Sequence, residues 1–498
     1  MDYRYEVSGV GKKAFLLLLS VLLVFGVVFP ALADENKNPD MSSLEEIHEY
    51  IINNHIDKKD DGVLIRGAIE GMLDALEDPY STYYPPENLE DFQGSINGEY
   101  AGIGVGLEPG ELYPKVNKVF EKSPAREAGV IVGDLVVKVD GADVAGESID
   151  RVVDRIRGHE GTKVRLLLRR EGKKDFEVDI KRASINIPTS EWRLLEDGTG
   201  YINIASFGSR TPDEFENGLK NLREKGAANL ILDLRDCPGG LLSVAVKIAG
   251  NFIEEGNIVT STIDRDGNRE VFRAGGHDAG KGMRVAVLVN HNSASAAEIL
   301  AGALQDYGVG VVIGGTTYGK GSVQALIPLK SGGALKLTTA RYHTANDRAI
   351  DGLGLKPDIQ VLSSGLQLVA AGEYFHPRER KTVLFSRDGE TAKINDSSVK
   401  VDRVPFQRDG KSYLPLRFTA EALGYRVDWQ EESESIKVSG DGKEIVFETV
   451  GGKVLADGRE TGGSPVLILD GTTYMPAEDL TFLGAGLKED ETGTCIEK

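Results

Sequence analysis

A chain of 498 residues exceeds one ordinary domain of roughly 100 to 200 residues and has room for several packed cores. With 58 basic against 78 acidic side chains, its net charge of −20 disfavours nucleic acid and anionic membrane surfaces as partners. Two cysteines, Cys237 and Cys495, are too few for a disulfide framework, and the seven histidines show no ligand spacing, so neither a metal nor another cofactor is expected.

The amino terminus carries Lys12 and Lys13, an apolar run from Ala14 to Phe29, and Pro30-Ala31-Leu32-Ala33 before Asp34. This is the three-part order of a secretory signal, so cleavage after residue 33 is expected, with the remainder exported to the outer face of the membrane or secreted. An uncleaved membrane anchor is the alternative, because the run lies near the short limit of about 20 apolar residues for a span. Residues 34–97 then hold two helical patterns, one with Leu44, Ile47, Tyr50 and Ile51 on a face and one with Ile65, Ile69, Met72, Leu73 and Leu76, stopped by Asp78-Pro79. Two amphipathic helices without their own core must pack on another domain or a second subunit.

Over residues 98–183 the pattern changes to short strands around Gly102-Ile103-Gly104-Val105, Val116 to Phe120 and Leu135 to Val139, with a helix through Val152, Val153 and Ile156. Together with Ser123-Pro124-Ala125-Arg126-Glu127-Ala128-Gly129 and Gly133-Asp134, this resembles a PDZ domain. The resemblance implies that backbone amides of the loop hold a peptide carboxylate while a strand edge accepts the peptide. Ile103, Val105, Val152 and Ile156 are then expected to line an apolar groove. The expected partners are proteins with exposed apolar carboxyl termini.

Residues 184–364 alternate strands and helices, and the apolar runs Leu230-Ile231-Leu232 and Val285-Ala286-Val287-Leu288-Val289 predict strands covered on both faces. After the second run come Asn292-Ser293-Ala294-Ser295-Ala296-Ala297-Glu298 and then Gly319-Lys320-Gly321-Ser322-Val323-Gln324. A serine hydroxyl needs a base, and a desolvated lysine can serve in place of imidazole. The two motifs resemble those of the carboxyl-terminal processing peptidases, which implies Ser295 as nucleophile, Lys320 as base and Gln324 as its companion on a crotonase-like or tricorn-protease-like core. The Leu76-Glu77-Asp78-Pro79-Tyr80-Ser81-Thr82-Tyr83 stretch resembles the same family's amino-terminal region, where such helices mediate dimerisation, so a homodimer is expected.

If a helix begins near Ser295, its unpaired amides suit an oxyanion. The amide of Ala296 is one expected arm, and the loop Leu234-Arg235-Asp236-Cys237-Pro238-Gly239-Gly240 brings the other from Gly239 or Gly240. Cys237 departs from the asparagine common in the family and is read as loop packing. His291 lies four residues before Ser295 and cannot easily turn back onto its hydroxyl, and no Gly-x-Ser-x-Gly elbow surrounds it.

Residues 365–383 are read as a linker. In 384–498 one pattern occurs twice, Asp409-Gly410-Lys411-Ser412-Tyr413-Leu414-Pro415 and Asp470-Gly471-Thr472-Thr473-Tyr474-Met475-Pro476, each entering a short helix. The repeat resembles the amino-terminal domain of copper amine oxidases; no histidine follows His376, so copper is not implied.

The expectation is a multidomain α/β protein: amino-terminal helices, a β-rich PDZ domain, an α/β peptidase core and an α+β repeat module. The expected activity is that of an exported serine endopeptidase with a Ser-Lys dyad, whose PDZ domain binds substrate termini and gates cleavage. A silent scaffold for envelope proteins and a cell-wall hydrolase are the competing readings; the intact Ser295, Lys320 and Gln324 argue against the first, and the lack of a zinc or Cys-His constellation against the second.

Overall fold

The computed structural model describes residues 38–96, 99–386, 390–401, 403–490 and 493–498. The expected signal segment, 1–33, lies outside them. The chain divides into two units, Met1–Glu77 and Asp78–Lys498.

In the first unit, α1 (Met41–Asn54) starts at Asp40, whose carboxylate accepts the Ser42 and Ser43 amides that a helix start leaves unpaired. Helix α2 (Asp61–Asp74) follows, and His48 Nε2 meets Asp61 Oδ1 at 2.6 Å. Neither helix buries a residue. Among the described residues no helix is long and apolar enough to cross a membrane.

The second unit opens with a short strand, β1 (Thr82–Tyr84), and then forms a small β-rich module. Its sheet runs β2 (Val105–Glu108), β3 (Lys115–Val119), β4 (Leu135–Val139), β5 (Lys163–Arg169) and β6 (Phe176–Lys181), with β2 at an edge. Helix α3 (Ile149–Ile156) packs against β2 and β4 through one apolar stripe, Val152 and Ile156, at i and i+4. Ser123 and the buried Asp134 fix the turns between strands, Asp134 through a paired Arg170 at 2.6 Å.

The central sheet has six strands in the order β7 (Ser190–Leu194), β8 (Gly200–Ile204), β9 (Asn229–Asp233), β12 (Arg284–Val289), β13 (Gly310–Gly314) and β16 (Ile359–Gln360). The β7–β8 pair is antiparallel and the rest are parallel. Alternation sends Leu230, Leu232, Val285, Val287 and Val289 to one core, under α4 (Thr211–Glu224), α5 (Leu242–Ala249) and α6 (Ala296–Asp306). Ile231, Ala286 and Leu288 go to the other face. A second, antiparallel sheet joins β1 to β15 (Ala334–Thr344), β10 (Ile258–Asp264) and β11 (Arg269–Arg273), with β14 (Ser322–Pro328) paired to β15.

Residues 365–383 are not the expected tether. Most of that stretch forms α7 (Ser364–Phe375), which buries Leu366, Gln367, Ala371 and Phe375. An apolar run from Leu366 to Ala371 would be costly in water, each buried side chain being worth about 1.5–3 kcal/mol. Helix α7 fills the second face of the central sheet, and its core continues without a break into Val383, Phe385, Leu414, Leu416 and Ile496 of the repeat module.

In that module the two repeat strands, Lys411–Pro415 and Thr472–Pro476, pair antiparallel, with Leu414 opposite Met475. The first copy enters an α-helix, Leu416–Ala422, whereas the degraded second copy makes only a 3-10 helix, Ala477–Leu483. Cys495 lies on the strand Gly493–Glu497 and is not joined to Cys237.

Candidate active site

Ser295 is the N-cap of α6, at φ 55° and ψ −116°. A non-glycine residue rarely holds this conformation, and strain of about 1–3 kcal/mol persists only where surrounding bonds over-determine it. Here they do. The Ser295 amide donates to Glu298 Oε2 at 2.8 Å, its carbonyl accepts from the Tyr342 hydroxyl at 3.3 Å, and the preceding Ala294 amide donates to Cys237 O at 3.0 Å. The serine is half-buried, so its side chain is reachable from solvent.

Glu298 is fully buried and is the centre of the arrangement. Besides the Ser295 amide, its carboxylate accepts the Gly319 amide at 2.8 Å, the Lys320 amide at 3.0 Å, the Tyr342 hydroxyl at 3.2 Å and the Thr317 hydroxyl. A buried carboxylate surrounded by donors is what the low-dielectric interior requires. It clamps the Lys320 loop to the Ser295 turn. A further bond, Tyr318 amide to Ser293 carbonyl at 3.0 Å, runs beside it. The glycines flanking Lys320 permit this approach: a Cβ on Gly319 would come within 2.8 Å of the Gly354 amide nitrogen, and one on Gly321 within 2.5 Å of that of Asp351.

Burial first, and then the charge of Lys336, hold the Lys320 ammonium below its usual pKa, against the opposing pull of Asp78 and Glu298. Its Nζ lies 4.6 Å from the centre of the Tyr80 ring. The Gln324 amide nitrogen donates to Ser322 Oγ at 2.9 Å and Thr338 Oγ1 at 3.2 Å, and among the described residues no hydrogen bond joins its side chain to the Lys320 amine. A register shift between Val323 and Gln324 in the β14–β15 pairing sets Gln324 opposite Thr338.

The glycine loop approaches from the other side. A Cβ on Gly239, at φ 97°, would lie 2.8 Å from Ser295 Cβ and 2.9 Å from the Ala296 amide nitrogen, so this glycine packs directly on the Ser295 turn. The loop is pinned to Phe207, whose amide donates to Gly239 O at 2.9 Å and whose carbonyl accepts from Leu241 at 2.8 Å. The same loop buries the Cys237 thiol. Burial pushes that thiol up to about 12, which keeps it protonated and inert. Arg235, in the same loop, grips Asp233 and also donates to Ser364 O and Gln367 Oε1 of α7 at 3.2 and 3.3 Å. His291 is exposed.

In the PDZ-like module the expected groove needs correction. Ile103, Val152 and Ile156 are at most 5% exposed and belong to the module's core, leaving Val105, half-buried on β2, as the one expected lining residue near the surface. All three pack with Val116, Val136, Val139 and Val164 of the module's strands. Gly104, at φ 77°, is required by contact, since a Cβ there would come 2.4 Å from Ser123 Cβ. Gly102 closes the strand Glu99–Gly102 before it.

Sequence reasoning missed Tyr80, Tyr318, Tyr342 and the central place of Glu298. The Asp78-Pro79-Tyr80-Ser81 stretch did signal a helix stop, but not that it returns to the site.

Comparisons with known proteins agree with this architecture. Residues 198–361 match peptidase family S41, 115–170 a PDZ domain, 30–88 the amino-terminal domain of the activating protease CtpB, and 393–496 the copper amine oxidase N-terminal domain. The carboxy-terminal-processing protease of Bartonella bacilliformis is 34% identical over 353 residues, which is 70% of this chain and 81% of that protein. The carboxy-terminal processing protease CtpA of Bacillus subtilis is 36% identical over 317 residues, 64% of this chain and 68% of its own length. A solved photosystem II D1 C-terminal processing protease aligns at 28% identity and a TM-score of 0.41, covering 65% of this chain and 88% of that one.

A peptidase family S41 core and a PDZ domain in one chain define a serine-type peptidase that acts on proteins. The chain belongs to the carboxy-terminal processing proteases of peptidase family S41.

Proposed function

We propose that this protein is an exported endopeptidase that cleaves with a Ser295–Lys320 dyad. The observation that carries the reading is the shared carboxylate of Glu298, which brings the backbone of both residues to one point while burial disfavours the charged lysine. Neutral Lys320 takes the Ser295 hydroxyl proton as Oγ bonds the scissile carbonyl carbon. The resulting oxyanion is held by the amide of Ala296 and by that of Gly239 or Gly240 in the glycine loop packed against it. As the C–N bond breaks, the ammonium returns its proton to the leaving amine. Water, deprotonated by the same lysine, then hydrolyses the acyl-enzyme.

Substrate termini are assigned to the open edge of β2 beside α3, where an extended peptide adds as a further strand. Engagement there gates the core. Ile47, Tyr50, Met72 and Leu76 of the first unit are 52–59% exposed, and this apolar surface is assigned to a second copy of the chain.

The test is cleavage of an unstructured protein ending in apolar residues, with Ser295→Ala and Lys320→Ala in parallel. Loss of about a thousandfold or more in both supports the dyad, while full activity in either removes that residue from it.

A further inference from the structure

The segment from Asp78 to Tyr84 crosses the lysine loop as a strap. Strand β1 pairs Thr82 with Lys336, Tyr83 with Leu335 and Tyr84 with Ala334. Ahead of it, Ser81 Oγ accepts the Thr338 amide at 3.1 Å and donates to Asp78 Oδ2 at 2.6 Å, while the Tyr80 amide donates to Asp78 Oδ1 at 3.0 Å. Although burial opposes it, hydrogen bonds from Ser81 and Thr338 hold the Asp78 carboxyl below its usual range. The turn is thus tied at both ends.

Two strap tyrosines, four positions apart, cover two lysines. Tyr84 takes Lys336, with Nζ 3.5 Å from its hydroxyl and 5.7 Å from its ring centre. Tyr80 takes Lys320, whose Nζ is 4.6 Å from the ring centre, and no hydrogen bond joins that nitrogen to Ser295 Oγ among the described residues. Hydrogen bonding with Tyr318, ahead of burial, pushes the Tyr80 phenol up to about 12. It remains neutral, with an intact π face.

We propose that Tyr80 is a positioning residue that parks the Lys320 ammonium on its ring, away from the Ser295 hydroxyl, so that this structure is a resting state relieved when the strap shifts. The proposal rests on the Ser-Lys reading above. The physical reason is that a π face attracts an ammonium and not a neutral amine. The contact therefore favours the protonation state that cannot act as base, and also the wrong position. Every charged neighbour of the amine is accounted for: Lys336 on β15 opposes the ammonium, and Asp78 on the strap and Glu298 on α6 favour it. Asp351 and Tyr318 act on Tyr80 rather than on the lysine. Because Asp78 follows directly on Glu77, where the first unit ends, the strap is the covalent route from those helices to the site.

The experiment uses the full chain and a fluorophosphonate probe of the active serine, with labelling rate followed against pH. Tyr80→Phe keeps the ring and should label like the parent. Tyr80→Leu removes it and should label about three- to tenfold faster near neutrality, with the acidic limb of the profile moved to lower pH by about half a unit to one unit. Should Tyr80→Leu fail to fold, stepwise fluorination of a phenylalanine at position 80 weakens the π face while keeping its shape, and the rate should climb with each fluorine. Unchanged or slower labelling with an unmoved limb, in a set where Lys320→Ala is unreactive, overturns the proposal. Parent-like labelling of Lys320→Ala overturns the dyad reading instead.

Discussion

Ser295 and Lys320 donate their backbone amides to the same atom, Oε2 of Glu298, at 2.8 and 3.0 Å. The proposed nucleophile and base are thereby joined through a residue that need not touch substrate. Replacing Glu298 with alanine strands four or more buried donors, each costing about 1–3 kcal/mol when unpaired. Glu298→Ala should therefore lower the thermal midpoint sharply and abolish cleavage. Glu298→Gln, which turns one acceptor into a donor facing donors, should fold less stably than the parent and cleave at least about tenfold more slowly. Calorimetry beside a peptidase assay checks both, and parent-like values in Glu298→Ala would remove the clamp.

Activity should rise with pH through the lowered pKa of Lys320. Burial and Lys336 depress the folded value below the usual 10.5, so in the window between the two an unfolded chain binds a proton that the folded chain lacks. The cost of holding this lysine is fully present below the folded pKa and is relieved as pH rises through the window. Lys320→Met should then abolish cleavage yet raise the thermal midpoint at neutral pH. The kcat/KM profile and melts at several pH values test the two signs separately.

Gly239 has no room for a side chain. Its φ of 97° disfavours any L residue, and a Cβ would sit 2.7 Å from Ala294 O and 2.8 Å from Ser295 Cβ. Gly239→Ala should cost about 1–3 kcal/mol in backbone strain alone and push the nucleophile turn out of place. A fall in kcat larger than any change in KM is expected, and an unaltered kcat would show that the loop can yield.

Helix α7 ties the repeat module to the core, so the two should unfold together. Phe375 is 3% exposed in a cluster that includes Ile231 and Leu288 of the central sheet and Leu414 of the module. Phe375→Ala should destabilise by about 3–5 kcal/mol and shift one common transition. Two separate transitions, with only one displaced, would mean that the module folds independently. Arg235, which bonds both Asp233 and α7, predicts in addition that truncation near residue 363 reduces peptidase activity.

Local pattern determined much of this molecule. The apolar alternation of Leu230 to Leu232 and Val285 to Val289, the glycines around Lys320 and the duplicated Tyr-x-Pro turns are short-range signals, since strand period, tight turns and repeats are properties of neighbouring residues. The Ser-Ala-Ser-Ala and Gly-Lys-Gly motifs pointed to the chemistry for the same reason. What the tertiary structure decided depends on which distant surfaces meet. Glu298 reads in sequence as one more helix residue and becomes the clamp only when β15 and the lysine loop close over it. Residues 365–383 read as a tether because the two surfaces that bury α7 lie far from it along the chain. Val152 and Ile156 read as groove lining, and their packing against the module's strands put them in its core instead. Lys320 sits on Tyr80 because β1 pairs with β15 across about 250 residues of chain, and no local preference encodes that pairing.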